Sequence, residues 1–152
     1  LIAFSWNLGG KWEIYGCNLD SNPKPFQITA GPGSKFAPKF SPDGCSLLFV
    51  LDQDGSEAFD ICQYDFQSQA ITNLTPDTTE SIQPGASWSP DGALIAFQSD
   101  KNGVFDTYIM SSAGGTARCI LQTGVPNEGL SWSPDGARLA VSASVWLAPA
   151  GA

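Results

Sequence analysis

Fifteen carboxylates and no histidine bound the chemistry that this chain of 152 residues offers. Without an imidazole, the chain cannot itself assemble a Ser-His-Asp or Cys-His nucleophilic unit, a histidine metal site or a histidine pH switch. Asp52, Asp54 and Glu57 follow the opening of a calcium loop, but Gly55 comes directly after Asp54 and the full ligand pattern is broken, so they read as a turn. Glycoside hydrolysis needs two acids converging on one cleft. Glu13, Asp60 and Asp106 instead recur at one position of a repeat and are expected to accept turn or strand hydrogen bonds. Cys17, Cys45, Cys62 and Cys119 are far apart with no CxxC pair, and read as free thiols acting as small hydrophobes. That usage leans towards a reducing compartment. The sequon Asn73-Leu74-Thr75 sits in a recurring strand signature and carries little weight. No catalytic, cofactor-binding or metal-binding residue is assigned.

Seven basic residues against fifteen acidic give a net charge of −8. Phosphate backbones and anionic membrane surfaces both select for Lys and Arg, so neither is an expected partner. The longest apolar run, Cys45 to Leu51, falls far short of the roughly 20 residues a membrane-spanning helix needs. Leu1–Trp6 has no signal-peptide pattern, and any export signal would lie upstream.

A repeat positions these residues. The tetrapeptide SPDG occurs as Ser41-Pro42-Asp43-Gly44, Ser89-Pro90-Asp91-Gly92 and Ser133-Pro134-Asp135-Gly136, at intervals of 48 and 44 residues. Phe40, Trp88 and Trp132 precede the three copies, which favours packing between repeat units over a carbohydrate or base-stacking platform for the two tryptophans. Trp6, Trp12 and Trp146 are less constrained and are expected to be partly exposed. Strand-like runs follow each tetrapeptide at 46–52, 93–100 and 137–143, and residues 1–7 match them. Further runs at 11–17, 58–64 and 104–110 lead through turns to fourth segments at 25–29, 70–75 and 116–121, and 143–152 reads as the third segment of the last copy and the start of its turn. Pro presets φ at the second turn position, and Gly accepts positive φ at the exit. Gly9-Gly10, Asp54-Gly55 and Asn102-Gly103 are hairpin signals.

Each unit therefore reads as four short antiparallel strands. Leu47, Phe49 and Leu51 alternate with Leu48 and Val50, so this strand is apolar on both faces and must be covered on both. No amphipathic helical stretch is available to cover it, which leaves neighbouring sheets. Repeats of this length with four strands indicate an all-β fold, a partial β-propeller of about 3.5 blades and 14 strands. The whole of 1–152 is expected to be a fragment of one propeller domain, with blade parts 1–30, 31–76, 77–123 and 124–152. Its rim loops, Ala30–Lys35, Asp77–Pro84 and Gly124–Gly129, carry no chemical motif.

The run from Trp88 to Tyr108, W-S-P-D-G-x-x-I-A-F-x-S-D-x-x-G-x-x-D-x-Y, resembles the propeller repeat of TolB-like periplasmic proteins, a WD-repeat-like (PD40) unit. The same repeat builds the N-terminal propeller of the prolyl oligopeptidase family, including its dipeptidyl- and acylaminoacyl-peptidase branches. The Asp52–Glu57 turn and the stretches 9–15 and 36–44 tilt the resemblance towards the peptidase propeller. That resemblance implies a non-catalytic segment that gates or binds peptide substrate above an α/β-hydrolase domain downstream. The family's G-x-S-x-G elbow is absent: Gly85-Ala86-Ser87-Trp88-Ser89 ends in Ser and belongs to the repeat. No catalytic residue carries over, and no enzyme activity is expected of this chain alone. The alternative is a TolB-like propeller that holds protein partners at the cell envelope. The first reading favours a cytoplasmic location, the second the periplasm. A propeller glycosidase or lactonase is disfavoured for want of converging acids.

Overall fold

The computed structural model describes residues 1–76, 82 and 85–144, and all statements of absence below concern these residues. They form thirteen strands in four antiparallel sheets. The first sheet runs β1 (Ile2–Trp6), β2 (Glu13–Cys17), β3 (Phe26–Gln27). The second runs β4 (Ser34–Phe40), β5 (Ser46–Asp52), β6 (Phe59–Asp65), β7 (Ile71–Asn73). The third runs β8 (Ser87–Trp88), β9 (Leu94–Ser99), β10 (Asp106–Ser111), β11 (Arg118–Leu121), and the fourth holds β12 (Asn127–Trp132) and β13 (Leu139–Ala143). Each is a simple up-and-down meander, and the four sheets do not close into a barrel. This is a partial propeller. Of the fourteen expected strands, the last falls on 143–152; apart from Ala143 in β13 and Ser144, that segment lies outside the described residues, as does Trp146.

Alternation along β5 explains the stacking. Leu47 and Phe49, both buried, join Ile14, Cys62 and Tyr64 in one apolar cluster, with Ala3 and Ile28 of the first sheet's units packed against it. Leu48 points the other way, into a second cluster with Ile61, Ile95, Phe97, Tyr108 and Met110. A strand apolar on both faces is thus covered by a sheet on each side, because successive side chains of a strand point to opposite faces. No helix occurs among the described residues, and none is long and apolar enough to cross a membrane.

The hairpin links fall at the Gly-containing pairs and are six residues long. Residues 53–58 separate β5 from β6, and 7–12 and 100–105 occupy the equivalent links. Gly10, Gly55 and Gly103 stand in them at φ of 83°, 85° and 89°. Asp52 Oδ1 accepts the Gly55 amide at 2.8 Å, and Asp54 Oδ1 accepts that of Ser56 at 3.1 Å. These carboxylates are used to tie a wide loop, which is longer than a tight two-residue turn because its own side chains satisfy its backbone.

Candidate functional site

The three SPDG turns repeat one hydrogen-bond circuit. Ser41 Oγ donates to Asp43 Oδ1 at 2.6 Å, and Ser89 and Ser133 do the same to Asp91 and Asp135 at 2.5 Å. The amide after each glycine reaches the same oxygen: Cys45 at 2.9 Å, Ala93 and Ala137 at 3.0 Å. The next amide, of Ser46, Leu94 or Arg138, donates to the serine hydroxyl at 2.9 Å. Hydrogen bonds from serine, and then from the backbone, hold Asp43, Asp91 and Asp135 below the usual carboxylate range. Gly44, Gly92 and Gly136 exit at φ of 72°, 73° and 68°.

Neighbouring units interlock at this end. A Cβ on Gly92 would lie 3.6 Å from Pro42 Cδ, and one on Gly136 3.5 Å from Pro90 Cδ, so each turn nests against the preceding proline. The Trp88 indole Nε1 donates to the Lys39 carbonyl at 3.3 Å, and that of Trp132 to Ser87 at 3.4 Å. Phe40 fills the corresponding position in the second sheet and has no such donor.

The recurring acids are positional. Glu13 Oε2 accepts Thr29 Oγ1 at 2.8 Å, while Thr29 Oγ1 accepts the Ile14 amide at 2.9 Å. Thr75 Oγ1 likewise accepts the Ile61 amide at 2.9 Å and donates to Asp60 Oδ1 at 3.4 Å. In the third sheet a register shift between Thr107 and Tyr108 brings Gln122 Nε2 to Asp106 Oδ2 instead, at 3.1 Å. Lys35 Nζ, buried in β4, crosses from the second sheet to Glu13 at 3.0 Å. Asn73, the sequon asparagine, donates Nδ2 to Asp60 and accepts the Thr75 amide, both at 2.9 Å, so its amide is engaged in the sheet. Among the described residues, no three His, Cys, Asp or Glu side chains stand together to hold a metal ion.

The cysteines are unpaired: Cys17 and Cys62 are buried, Cys119 half-buried and Cys45 exposed beside the first turn. Burial, then the Asp60 charge, pushes the Cys62 thiol up to about 12, which keeps it protonated and unreactive. Trp6 and Trp12 are partly exposed, at 37% and 40%.

Two grooves share Pro42 and Trp88. One, of about 360 Å³, crosses β4, β8 and β12, the first strands of three sheets and here called the inner strands, among Lys39, Phe40, Trp88, Leu130, Ser131 and Trp132. The other, of about 430 Å³, lies between the first two turns, beside Asp43, Gln63 and Asp91. Burial lowers the Lys39 pKa, and its Nζ donates to the Gly85 carbonyl at 3.4 Å. A separate cleft of about 380 Å³ between the second and third sheets is floored by Leu74, Ile82, Phe97 and Tyr108. The SPDG residues thus frame a continuous surface at one end of the sheets. The tryptophan-to-carbonyl links and the Glu13–Lys35 pair are not apparent from the motifs; the threonine closing the segments at 25–29 and 70–75 was the one available signal for the acid positions.

The fold is shared with solved propellers. A structure assigned to TolB from Agrobacterium tumefaciens superposes on 91% of this chain with a TM-score of 0.78 and 26% identity. TolB from Acinetobacter baumannii does so over 91% with a TM-score of 0.77 and 28% identity. The chain spans 48% and 34% of those two proteins. It is also 35% identical, over 86 residues, to the uncharacterized peptidase YuxL of Bacillus subtilis, covering 53% of this chain and 13% of that protein. The model of the TolB beta propeller domain matches residues 2–145, nearly the full length, and the chain belongs to that family.

Proposed function

We propose that the chain is a non-catalytic binding module, a stretch of TolB-like propeller that holds an extended segment of a protein partner against its inner strands. The observation that carries this reading is the pair of grooves joined at Pro42 and Trp88. Their floor is aromatic and proline-rich, and polar groups stand at the margins: the Lys39 ammonium on one side, Asp43 and Asp91 on the other. Concave, largely preformed sites with a few placed polar groups are where ligands bind, and tryptophan is enriched among the residues that carry interface energy. The TolB likeness suggests a partner at the cell envelope.

Peptides selected on the chain from a random display library test it. Ser131→Arg, which fills the first groove from an exposed position, is expected to abolish their binding. Thr116→Arg, at the separate cleft, is expected to leave it intact. Binding that survives Ser131→Arg but is lost with Thr116→Arg overturns the assignment.

The likeness to YuxL favours a second reading, in which the same surface gates or binds peptide substrate for a prolyl-oligopeptidase-like serine peptidase. Its α/β-hydrolase domain would be encoded downstream. A G-x-S-x-G elbow in the reading frame beyond Ala152 would support it; further SPDG repeats and then a stop codon would reject it.

A further inference from the structure

We infer that the partner segment held in the inner-strand groove carries an acidic side chain whose carboxylate pairs with the Lys39 ammonium. This rests on the binding role proposed above and names the chemistry that the groove selects. Among the described residues, Lys39 is the one basic side chain lining either of the two joined grooves. It is half-buried, and it shares its groove with the apolar surfaces of Phe40, Trp88, Leu130 and Trp132. Its Nζ has one hydrogen-bond partner, the neutral Gly85 carbonyl at 3.4 Å, and no carboxylate of the described residues lies within 4 Å of it. Burial lowers its pKa with no opposite charge to offset the effect. Lys35, four residues earlier on β4, is buried too, but Glu13 stands 3.0 Å from it. Both lysines have lost water, and only Lys35 has a counter-charge within the chain. A partly desolvated cation of this kind gains from a carboxylate that a ligand supplies, and apolar walls strengthen the attraction by keeping water out.

The adjoining groove restricts where the acid can sit. Asp43 and Asp91 line it, and hydrogen bonds from Ser41, Ser89 and two backbone amides favour their ionised forms and fix them at the turns. A ligand carboxylate there meets like charge, which opposes binding and rejects wrong partners. The acid is therefore read at Lys39 alone. Because the two grooves share Pro42 and Trp88, the segment continues past Lys39, and the carboxylate belongs to a side chain within it. The chain's net charge of −8 repels acidic segments in general, so an acid selected against that bias reports a specific contact.

Display-selected peptides whose binding is lost with Ser131→Arg are the probes. Each is expected to contain an Asp or Glu whose replacement by the matching amide weakens binding about tenfold. Lys39→Met is expected to weaken the acidic peptides by the same factor and to bind acid and amide forms equally. Lys39→Glu is expected to reverse the preference, favouring a peptide with lysine in place of the acid. Lys39→Gln takes the place of Lys39→Met if that variant loses its circular dichroism. Groove-bound peptides whose acid and amide forms bind alike, or whose acid preference survives Lys39→Met, overturn this inference while leaving the groove as the binding surface. Peptides that are all insensitive to Ser131→Arg overturn the groove assignment, and this inference with it.

Discussion

The indole of Trp132 donates to the main-chain carbonyl of Ser87 at 3.4 Å, one blade away, and Trp88 repeats the link to Lys39 at 3.3 Å. The tryptophan marking two of the three SPDG repeats thus ties each of them to the repeat before it. Trp132→Phe keeps the ring packing but removes the donor and leaves the carbonyl short of a partner. We expect a loss of about 1 kcal/mol in urea unfolding, with Trp88→Phe similar. An unchanged midpoint for both would mean that packing alone joins the inner strands.

The SPDG circuits make stability depend on acid. Asp43, Asp91 and Asp135 have folded pKa values below their unfolded ones, so their contribution is full above the ordinary carboxylate range. It is lost as pH falls through the lowered folded values. Thermal midpoints should therefore hold from neutral pH to about 5 and then fall steadily below about pH 4, the ordinary carboxylate range. Replacing all three with Asn should flatten that acid limb. An acid limb of undiminished steepness in the triple variant would contradict the assignment.

Ala37 adopts φ of 53° where the aligned residues of the next two units are Gly85 and Gly129. A left-handed conformation costs a residue with a Cβ about 1–2 kcal/mol, partly offset by the extra chain entropy that glycine loses on folding. Ala37→Gly is expected to stabilise the chain by up to about 1 kcal/mol in urea titration. Gly129→Ala should cost a similar amount, because a Cβ there meets nothing within 4 Å and only the backbone angle opposes it.

Lys35 and Glu13 are both buried and 3.0 Å apart across two sheets. Lys35→Met leaves the carboxylate with only the exposed Lys11 ammonium, 3.6 Å away, and should cost about 3 kcal/mol. The double change Lys35→Met with Glu13→Gln should recover most of that loss, as read by a double-mutant cycle in guanidinium. Equal losses for the single and double variants would show that Thr29 and Lys11 satisfy Glu13 without Lys35.

The fold was legible because SPDG and the strand after it recur at blade-length intervals, and because β5 is apolar on both faces. A strand of that kind permits only stacked sheets when no helix is at hand. Less of the site could be read. The Trp132 indole and the Ser87 carbonyl are 45 residues apart, and no local pattern links a donor to an acceptor in another unit. The Gly-containing pairs marked where the hairpin links lie but not how they are tied, since Asp54-Gly55 looks the same whether it closes a tight hairpin or lies inside a loop held by Asp52. The inner-strand groove has no motif at all: Lys39, Trp88, Leu130 and Trp132 come from three different sheets and meet only after stacking.

The central claim, that the inner-strand groove is the binding surface, is tested most directly by the tryptophan indole signals in a nitrogen–proton correlation spectrum. A selected peptide is titrated into the labelled chain while those signals are followed. Trp88 and Trp132 line the groove; Trp6 and Trp12 do not. The account predicts that the Trp88 and Trp132 signals shift in a saturable manner while those of Trp6 and Trp12 stay in place. Saturable shifts at Trp6 or Trp12 with Trp88 and Trp132 unmoved would contradict it.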